Sequence, residues 1–279
     1  MSIQRPELGA TLDHLCVQSA DPDRLARFYE AAYSVERKPI AGGWQCEAPG
    51  RTLLVTSGRP NTVGCFAYRF GTRDALHGFR DTLRTKILQL DTNVSLLFDD
   101  DAFSLTDPDR NVVAFGVRQV PATSGEESLP ARLQHCAFRT ANLDAMVDFY
   151  AALGFIVSDR VEDDAGVLRA CFLRTDHEHH ALALFGSPET RLDHISCETR
   201  DVGAITGWAD RLSARHIPIH WGIGRHGPGN DIFFMVKDPD DNLIEISADL
   251  EVCAPERPTG CWRHEPRTLN LWGTAIMRS

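Results

Sequence analysis

Two histidines and one glutamate in the second half of the chain form a set that can hold a metal ion. His135 lies in LQHCAF, His194 in LDHISC and Glu245 in NLIEIS. Two imidazoles and one carboxylate are the ligands that hold non-haem Fe(II) on one face and leave the other face open. A closed structural zinc site would need a fourth protein ligand, usually a cysteine. The three residues therefore predict an open Fe(II) site, and Mn(II) is an alternative because it accepts the same ligands.

Each of these three residues lies in a short apolar run typical of a β-strand, and helix-like segments separate the runs. The segments LDAMVDFYAAL and VGAITGWADRLSAR carry apolar residues at helical spacing. The segments VLRACFLR, HHALALF and DIFFMV have the β-branched and aromatic content of strands. Predicted strands would give the three candidate ligands a rigid support.

The two halves of the chain resemble each other. In both, a strand with a central histidine leads into a helix with a Phe-Tyr pair: LDHLCVQSADPDRLARFYEAA begins at Leu12 and LQHCAFRTANLDAMVDFYAAL at Leu133. The two histidines are 121 residues apart, and so are the two tyrosines. Each half also ends in an Asp-Pro turn followed by a strand, DPDRNVVAFG and DPDDNLIEIS. This pattern predicts an internal duplication.

Each half divides again into two segments that read strand, helix and then strands. Four βαβββ modules, paired into two α+β domains, are the simplest account. We expect an N-terminal domain over residues 1–118, a Pro-, Ser-, Gly- and Glu-rich linker over 119–131, a C-terminal domain over 132–250 and a tail over 251–279. The tail lacks helical or strand periodicity, and the sequence leaves open whether it covers the mouth of a site or contacts another subunit.

The duplication predicts that the first half has lost its metal site. Alignment of FAYRFGTRD with HISCETRD places Ala67 opposite His194, and alignment of the two Asp-Pro turns places Ala114 opposite Glu245. Of the three candidate ligands, the first half then retains His14, which is interpreted as a packed strand residue. The metal site is expected in the second half.

The composition argues against several classes of function. The chain has 279 residues, of which 43% are apolar and 24% charged, and its formal net charge is −10. A nucleic-acid partner is not expected, because phosphate binding needs a basic face. No apolar run approaches membrane-spanning length, and the first residues lack the pattern of a signal peptide. Eight cysteines without a Cys-x-x-Cys pair predict free thiols in a reducing cytoplasm.

The ligand order, the duplicated halves and the DPDDN turn make roughly residues 10–250 similar to the vicinal oxygen chelate (glyoxalase/bleomycin resistance) superfamily. The chain resembles specifically the type I extradiol ring-cleaving dioxygenases, which are catechol 2,3-dioxygenase-like. This resemblance implies two tandem domains, each built of two βαβββ modules that form a curved sheet around a central cavity, with an empty first domain. The Fe(II) ligands of the family fall on His135, His194 and Glu245.

The resemblance also assigns roles to two further histidines. HEHHALALF resembles the strand with the acid/base histidine, which falls on His180, although His179 in the same cluster is an alternative. An imidazole titrates near neutral pH, so it can take a proton from a diol and return it. GIGRHGPGND resembles the loop whose histidine lies close to substrate and oxygen, which falls on His226. The alternative for this residue is an ordinary surface loop. The adjacent Arg225 is a candidate for attracting an anionic substrate, although a solvated side chain is the favoured interpretation.

At one position the chain departs from the family pattern. The family usually has a tyrosine that bonds to the substrate three residues before the aspartate of the Asp-Pro turn, and here that residue is Met235. A thioether cannot donate a hydrogen bond and accepts only weakly. Either the substrate is held differently, turnover is slower, or the reaction is not ring cleavage.

The resemblance implies an Fe(II)-dependent extradiol dioxygenase that uses O2 to open the ring of a catechol-type aromatic diol to a semialdehyde acid, as in aromatic hydrocarbon catabolism. It also implies a homo-oligomer. Two alternatives stay open: a non-oxidative metal enzyme of the same superfamily, such as an isomerase, epimerase or glyoxalase-like enzyme, and a non-catalytic small-molecule binding protein. Metal content separates the binding protein from the enzymes, because a binding protein needs no metal site.

Overall fold

The order of helices and strands repeats one module four times. The structure is a computed structural model that describes residues 7–86, 90–92, 95–120 and 129–278. Along the chain, each module consists of a strand, a helix and three strands. This order confirms the predicted α+β fold of four βαβββ modules. Most of the predicted linker, residues 121–128, lies outside the described residues, and the exact domain boundaries stay a prediction.

The first half forms an eight-stranded sheet. Its modules are β1 (Ala10–Ser19), α1 (Pro22–Tyr33), β2 (Glu36–Ile40), β3 (Gly43–Ala48) and β4 (Arg51–Ser57), then β5 (Thr62–Phe70), α2 (Arg73–Arg84), β6 (Asp91–Thr92), β7 (Phe103–Thr106) and β8 (Val112–Gly116). The strand order β2-β3-β4-β1-β5-β8-β7-β6 places the first strands of the two modules side by side. These two strands are antiparallel, and each is parallel to the last strand of its own module.

The second half repeats this arrangement in a nine-stranded sheet. Its modules are β9 (Ala131–Thr140), α3 (Leu143–Leu153), β10 (Ile156–Glu162), β11 (Leu168–Arg174) and β12 (Leu182–Gly186), then β13 (Arg191–Thr199), α4 (Val202–Ser213), β14 (Trp221–Arg225), β15 (Ile232–Lys237) and β16 (Leu243–Ala248). The strand order is β14-β15-β16-β13-β9-β12-β11-β10-β17, in which β17 is Gly260–Arg263 of the tail. The central strands are therefore β16, β13, β9 and β12.

The tail contains regular structure that the sequence analysis did not predict. Strand β17 (Gly260–Arg263) adds to the edge of the second sheet, parallel to β10, and helix α5 (Pro266–Leu269) follows. The tail shows no period in the sequence because elements of four residues are too short to produce one. The tail is part of the second domain's sheet.

The helices start at capping side chains that the sequence supplies. The side chains of Asp21, Thr72 and Asp201 accept hydrogen bonds from backbone amides in the first turns of α1, α2 and α4. Helix α3 ends at Gly154, which has a φ of 104°. None of the described helices has both the length and the apolar character needed to cross a membrane.

Strand register corrects one part of the predicted alignment between the halves. Cys16 on β1 is paired with Cys65, and its counterpart Ala137 on β9 is paired with His194. The counterpart of His194 is therefore Cys65, and the predicted match with Ala67 was wrong. The mismatch arose because the Thr-Arg-Asp triplets before the two helices are not equivalent: the first residue of the triplet caps α2, whereas the last caps α4.

The other predicted correspondence between the halves is confirmed. Ala67 is paired with Ala114, and the equivalent Ser196 is paired with Glu245. In the first half, His14 is buried, with Nδ1 2.7 Å from a carboxylate oxygen of the preceding aspartate and Nε2 2.9 Å from a serine hydroxyl. It is a packed and hydrogen-bonded strand residue, as expected.

The two halves are joined by one hydrophobic core and by a reciprocal pair of hydrogen bonds. The hydroxyl of Tyr29 on α1 donates to Asp238 in the second Asp-Pro turn at 3.0 Å. The hydroxyl of Tyr150 on α3 donates to Asp107 in the first Asp-Pro turn at 2.9 Å. All four side chains are buried, and the apolar core around them contains residues of both halves. The repeated tyrosine and the repeated turn therefore have a shared role in docking the halves together.

Removing either of these hydroxyls should weaken the docking. We expect Tyr29→Phe and Tyr150→Phe each to lower the free energy of unfolding by about 1–2 kcal/mol, because each leaves a buried carboxylate with one hydrogen bond fewer. Urea unfolding followed by circular dichroism measures the change. The matched control is Tyr33→Phe, whose hydroxyl makes a longer bond of 3.4 Å to a backbone carbonyl. Equal stability of Tyr29→Phe and the unchanged protein would contradict the docking role.

Candidate active site

The side chains of His135, His194 and Glu245 meet at the centre of the second sheet. They lie on the adjacent strands β9, β13 and β16. Nε2 of His135 is 3.0 Å from Nε2 of His194 and 3.5 Å from Oε1 of Glu245. All three residues are buried, and their ligand atoms lie within 4.8 Å of one another. The structure thus brings the three sequence-predicted ligands to one point.

A β-bulge beside each histidine turns a polar neighbour toward the ring. Gln134 and Asp193 directly precede the two histidines, and each falls at a register shift between β9 and β13. Oδ1 of Asp193 accepts from Nδ1 of His194 at 2.7 Å, and Oε1 of Gln134 accepts from Nδ1 of His135. Because these acceptors hold the proton on Nδ1, the Nε2 lone pairs of both rings are left for a metal ion.

The donor set fits a divalent metal ion. Burial lowers the pKa of His135 to about 3, so this ring stays neutral. Burial favours the neutral form of Glu245, but the bond to His226 and the nearby imidazoles hold its pKa below the usual value. Oε1 of Glu245 is buried and has no hydrogen-bond partner among the described residues. A buried carboxylate oxygen facing two imidazole lone pairs is costly unless a cation joins them.

Beside this site lies a narrow cavity that His135 and His194 line and Glu245 does not. Its remaining walls are mostly apolar or aromatic, with two further histidines and one arginine: Phe172, His180, Phe185, His226, Pro228, Met235, Leu269 and Arg278. A small apolar cavity with a few convergent polar groups is typical of a site for a small molecule. The flat rings in the walls suit a planar ligand.

His180 lines the cavity and ends the segment DHEHH before β12. Its ring centroid is 4.3 Å from that of His135. Nδ1 of His180 is 3.0 Å from Nδ1 of His179, whose Nε2 is 3.1 Å from Oδ2 of Asp159. The carboxylate favours a proton on Nε2 of His179, so Nδ1 of His179 accepts from His180. Nε2 of His180 is then an unprotonated acceptor.

Burial, reinforced by the neighbouring imidazoles, lowers the pKa of His180 well below its usual value. The neutral ring can therefore accept a proton from a molecule in the cavity. His179 is fully buried and does not line the cavity. The structure therefore assigns the cavity position to His180, with His179 behind it.

His226 follows β14 and forms another wall of the cavity. Its Nδ1 donates to the carbonyl of Leu269 at 2.6 Å, and its ring stacks on Phe233 with centroids 3.7 Å apart. Its Nε2 lies 3.3 Å from Oε2 of Glu245. Burial opposes a charged ring, but the carboxylates of Asp231 and Glu245 raise the pKa of His226 overall. A protonated His226 can stabilise an anion in the cavity.

Two residues assigned to the substrate pocket have different positions. Met235 on β15 is paired with Glu245 on β16 and lines the cavity. Arg225 does not line it: its guanidinium carbon is 5.2 Å from the ring centroid of Trp272, and it donates to the carbonyl of Asn230. Arg225 binds the tail to the loop after β14.

The tail contributes to this site in a way that was not predicted from the sequence. Leu269 and Arg278, both in the tail, line the cavity. Of the two positions that the sequence left open for the tail, these two residues therefore lie at the site. The aromatic and basic content of the tail was a weak signal, because it did not show where the chain runs.

Comparisons with known proteins agree with this geometry. Residues 132–246 match the model of the Glyoxalase/Bleomycin resistance protein/Dioxygenase superfamily. The matched segment makes up less than half of the chain. It contains the three candidate ligands and both cavity histidines.

Two curated proteins are similar in sequence to about half of the chain. Metapyrocatechase 2 of Cupriavidus necator is 34% identical over 151 residues, which cover 53% of this chain and 46% of that protein. Biphenyl-2,3-diol 1,2-dioxygenase 3 of Rhodococcus globerulus is 27% identical over 155 residues, covering 52% of this chain and 77% of that protein. The matched part of the chain thus spans less than half the length of metapyrocatechase 2.

Solved structures share the fold over almost the whole chain. Homoprotocatechuate 2,3-dioxygenase from Arthrobacter globiformis superimposes with a TM-score of 0.82 at 21% identity, covering 99% of this chain and 91% of that protein. The Mn(II)-bound glyoxalase from Novosphingobium aromaticivorans gives 0.77 at 21% identity, covering 96% and 92%. The chain therefore has the two-domain vicinal oxygen chelate fold found in extradiol dioxygenases.

Proposed function

We propose that the chain is an Fe(II)-dependent extradiol dioxygenase that opens the ring of a catechol-type diol with O2. The observation that carries the proposal is the meeting of His135, His194 and Glu245 beside a largely apolar cavity that two further histidines line. The names of metapyrocatechase 2 and of the biphenyl-2,3-diol dioxygenase support this reaction class. The net reaction adds both atoms of O2 to the diol and yields a semialdehyde acid, so it needs no external reductant.

His135, His194 and Glu245 would hold the metal ion. When bound, Fe(II) supplies open coordination positions for the diol and O2 and a route for electrons between them. The protein contributes orientation, because both histidines are fixed by Gln134 and Asp193. Mn(II) fits the same ligands and is the alternative metal.

The remaining cavity residues handle the substrate and its protons. Nε2 of His180 takes a proton from a diol hydroxyl and returns it to the opened product. The charged ring of His226 stabilises negative charge that develops on oxygen. Phe172 and Phe185 form apolar walls for the aromatic ring and keep water from the reacting atoms.

Binding of diols and uptake of oxygen test this proposal. Protein purified without air and loaded with Fe(II) is mixed with a panel of catechols, while O2 is followed by an electrode and ring opening by absorbance. The proposal predicts O2 uptake with an equal amount of a yellow ring-opened product. Tight metal binding without uptake would point to a non-oxidative enzyme of the superfamily. The absence of both metal binding and O2 uptake would point to a binding protein.

Met235 gives a prediction of its own. We expect Met235→Tyr to raise kcat/KM for simple catechols by about 10-fold, because a phenol hydroxyl supplies a hydrogen bond that a thioether cannot. Steady-state kinetics on unsubstituted catechol measures the change, and Met235→Phe controls for ring volume without the hydroxyl. A fall in both variants would mean that the cavity needs the slender methionine for a bulkier substrate.

The compartment and assembly are part of the same proposal. All eight cysteines are free, and six of them are buried, which fits a reducing cytoplasm. Relatives of the resembled family form homo-oligomers, and we extend that assembly to this chain. Light scattering of the purified protein measures its mass.

A further inference from the structure

The tail places an arginine side chain in the wall of the cavity. The side chain of Arg278 is only 3% exposed. Its guanidinium carbon lies 4.9 Å from the ring centroid of Phe185 and 4.8 Å from that of Trp221. Both contacts are within the range of cation–π attraction, which holds a guanidinium in a fixed place. The head group is therefore preorganised before any ligand binds.

The hydrogen bonds of Arg278 leave part of its donor capacity facing the cavity. Nη2 donates to Oδ1 of Asp193 at 3.1 Å, and Nη1 donates to the carbonyl of Ile276 at 2.9 Å. Nη2 also lies 4.0 Å from Sδ of Met235, which lines the cavity. A guanidinium has five N–H groups, and a thioether is a weak acceptor. The N–H directed at Met235 is thus available to a better acceptor.

The local charge also favours an oxygen ligand. Asp193 accepts from Arg139 at 2.7 Å as well as from Arg278, so one carboxylate faces two guanidinium groups. Among the described residues that line the cavity, Arg278 is the one with a permanent charge. A guanidinium in an apolar, buried wall strengthens a hydrogen bond to a negative or partly negative oxygen.

We propose that Arg278 positions the substrate: Nη2 donates to an oxygen of the bound aromatic diol at the place where Met235 can donate nothing. The inference rests on the proposed function. It gives the tail a direct role in substrate binding, and it explains how a cavity with methionine at this position can still orient a diol. A purely structural alternative is that Arg278 acts only through Asp193, which orients His194.

Arg139 provides the matched control, because it contacts the same carboxylate without lining the cavity. The variants Arg278→Met, Arg278→Lys and Arg139→Met are loaded with Fe(II) without air and titrated with 4-nitrocatechol, whose absorbance reports binding. We expect Arg278→Met to raise the Kd for nitrocatechol, and the KM for a substrate, by about 10- to 100-fold. Arg278→Lys should recover part of the loss, whereas Arg139→Met should leave the Kd within about 3-fold.

Metal affinity, measured by Mn(II) titration, separates the two roles of Arg278. A substrate-positioning role predicts little change in metal affinity for Arg278→Met. Equal weakening of nitrocatechol binding by Arg278→Met and Arg139→Met would overturn the inference, since Asp193 would then carry the effect. Unchanged binding in Arg278→Met would also overturn it. If Arg278→Met does not fold, the nitrocatechol Kd of Arg278→Lys is compared with that of the unchanged protein instead. An unchanged Kd in Arg278→Lys then overturns the inference.

Failure of this inference and failure of the proposed function give different results. If the unchanged protein binds metal but no catechol, the proposed function fails and the inference falls with it. If the unchanged protein and Arg278→Met bind nitrocatechol equally well, the inference alone fails.

Discussion

Glu245→Ala should abolish tight metal binding. The carboxylate is fully buried, and its ligand oxygen lies within 4.8 Å of the ring nitrogens of His135 and His194. Its removal leaves two ligands on one side of the site. We expect the affinity for Fe(II) or Mn(II) to fall by more than about 100-fold, because even residues that only orient metal ligands contribute about 10- to 100-fold. Metal content after gel filtration and titration calorimetry measure this loss.

The same variant should lose the stabilisation that metal gives to the fold. In the unchanged protein, metal at 100 times its Kd should stabilise the folded state by about 2.7 kcal/mol and raise Tm accordingly. Glu245→Ala should show no such rise. The control is Glu198→Ala on β13, since Glu198 pairs with Arg132 and does not line the cavity. Normal metal affinity in Glu245→Ala would remove this residue from the proposed ligand set.

His180→Gln should lose turnover while keeping its metal. When Nε2 of His179, 3.1 Å from Asp159, carries the proton, Nε2 of His180 is the unprotonated atom at the cavity wall. General acid–base catalysis by a positioned side chain is worth about 100- to 10,000-fold, so we expect kcat to fall within this range. Stopped-flow absorbance of the substrate and product measures the loss, and metal affinity should stay within about 3-fold.

A matched control for this variant lies in the same histidine cluster. His177 is exposed and precedes His179 by two residues, so His177→Gln should leave kcat unchanged. An equal loss in the two variants would indicate a general disturbance of the loop before β12. An unchanged kcat in His180→Gln would exclude the proposed proton transfer.

Much of the fold was predictable because it is encoded locally and twice. The apolar periods and Asp-Pro turns recur at matching places in both halves, and they predicted the four βαβββ modules. The candidate ligands were predictable because each lies in the middle of a strand that the duplication places at the centre of the sheet. Duplication also explains why Ala114 could be matched to Glu245.

What could not be predicted depends on tertiary arrangement. The bulges that turn Gln134 and Asp193 toward the histidines are register shifts between distant strands, and no local pattern marks them. A difference in the residues that cap the helices hid the correspondence of Cys65 with His194. Arg278 reaches the cavity because the tail adds a strand to the sheet and turns back, a path that its own residues do not indicate.

Mass spectrometry of the product formed under ¹⁸O2 tests the central claim most directly. The Fe(II)-loaded protein is mixed with a catechol that it binds, and the ring-opened acid is analysed for isotope content. The account predicts a product heavier by two ¹⁸O atoms, with correction for exchange of the aldehyde oxygen with water, and no such product from Glu245→Ala. A product that carries no oxygen from O2, or an unaltered diol in the presence of bound Fe(II), would contradict it.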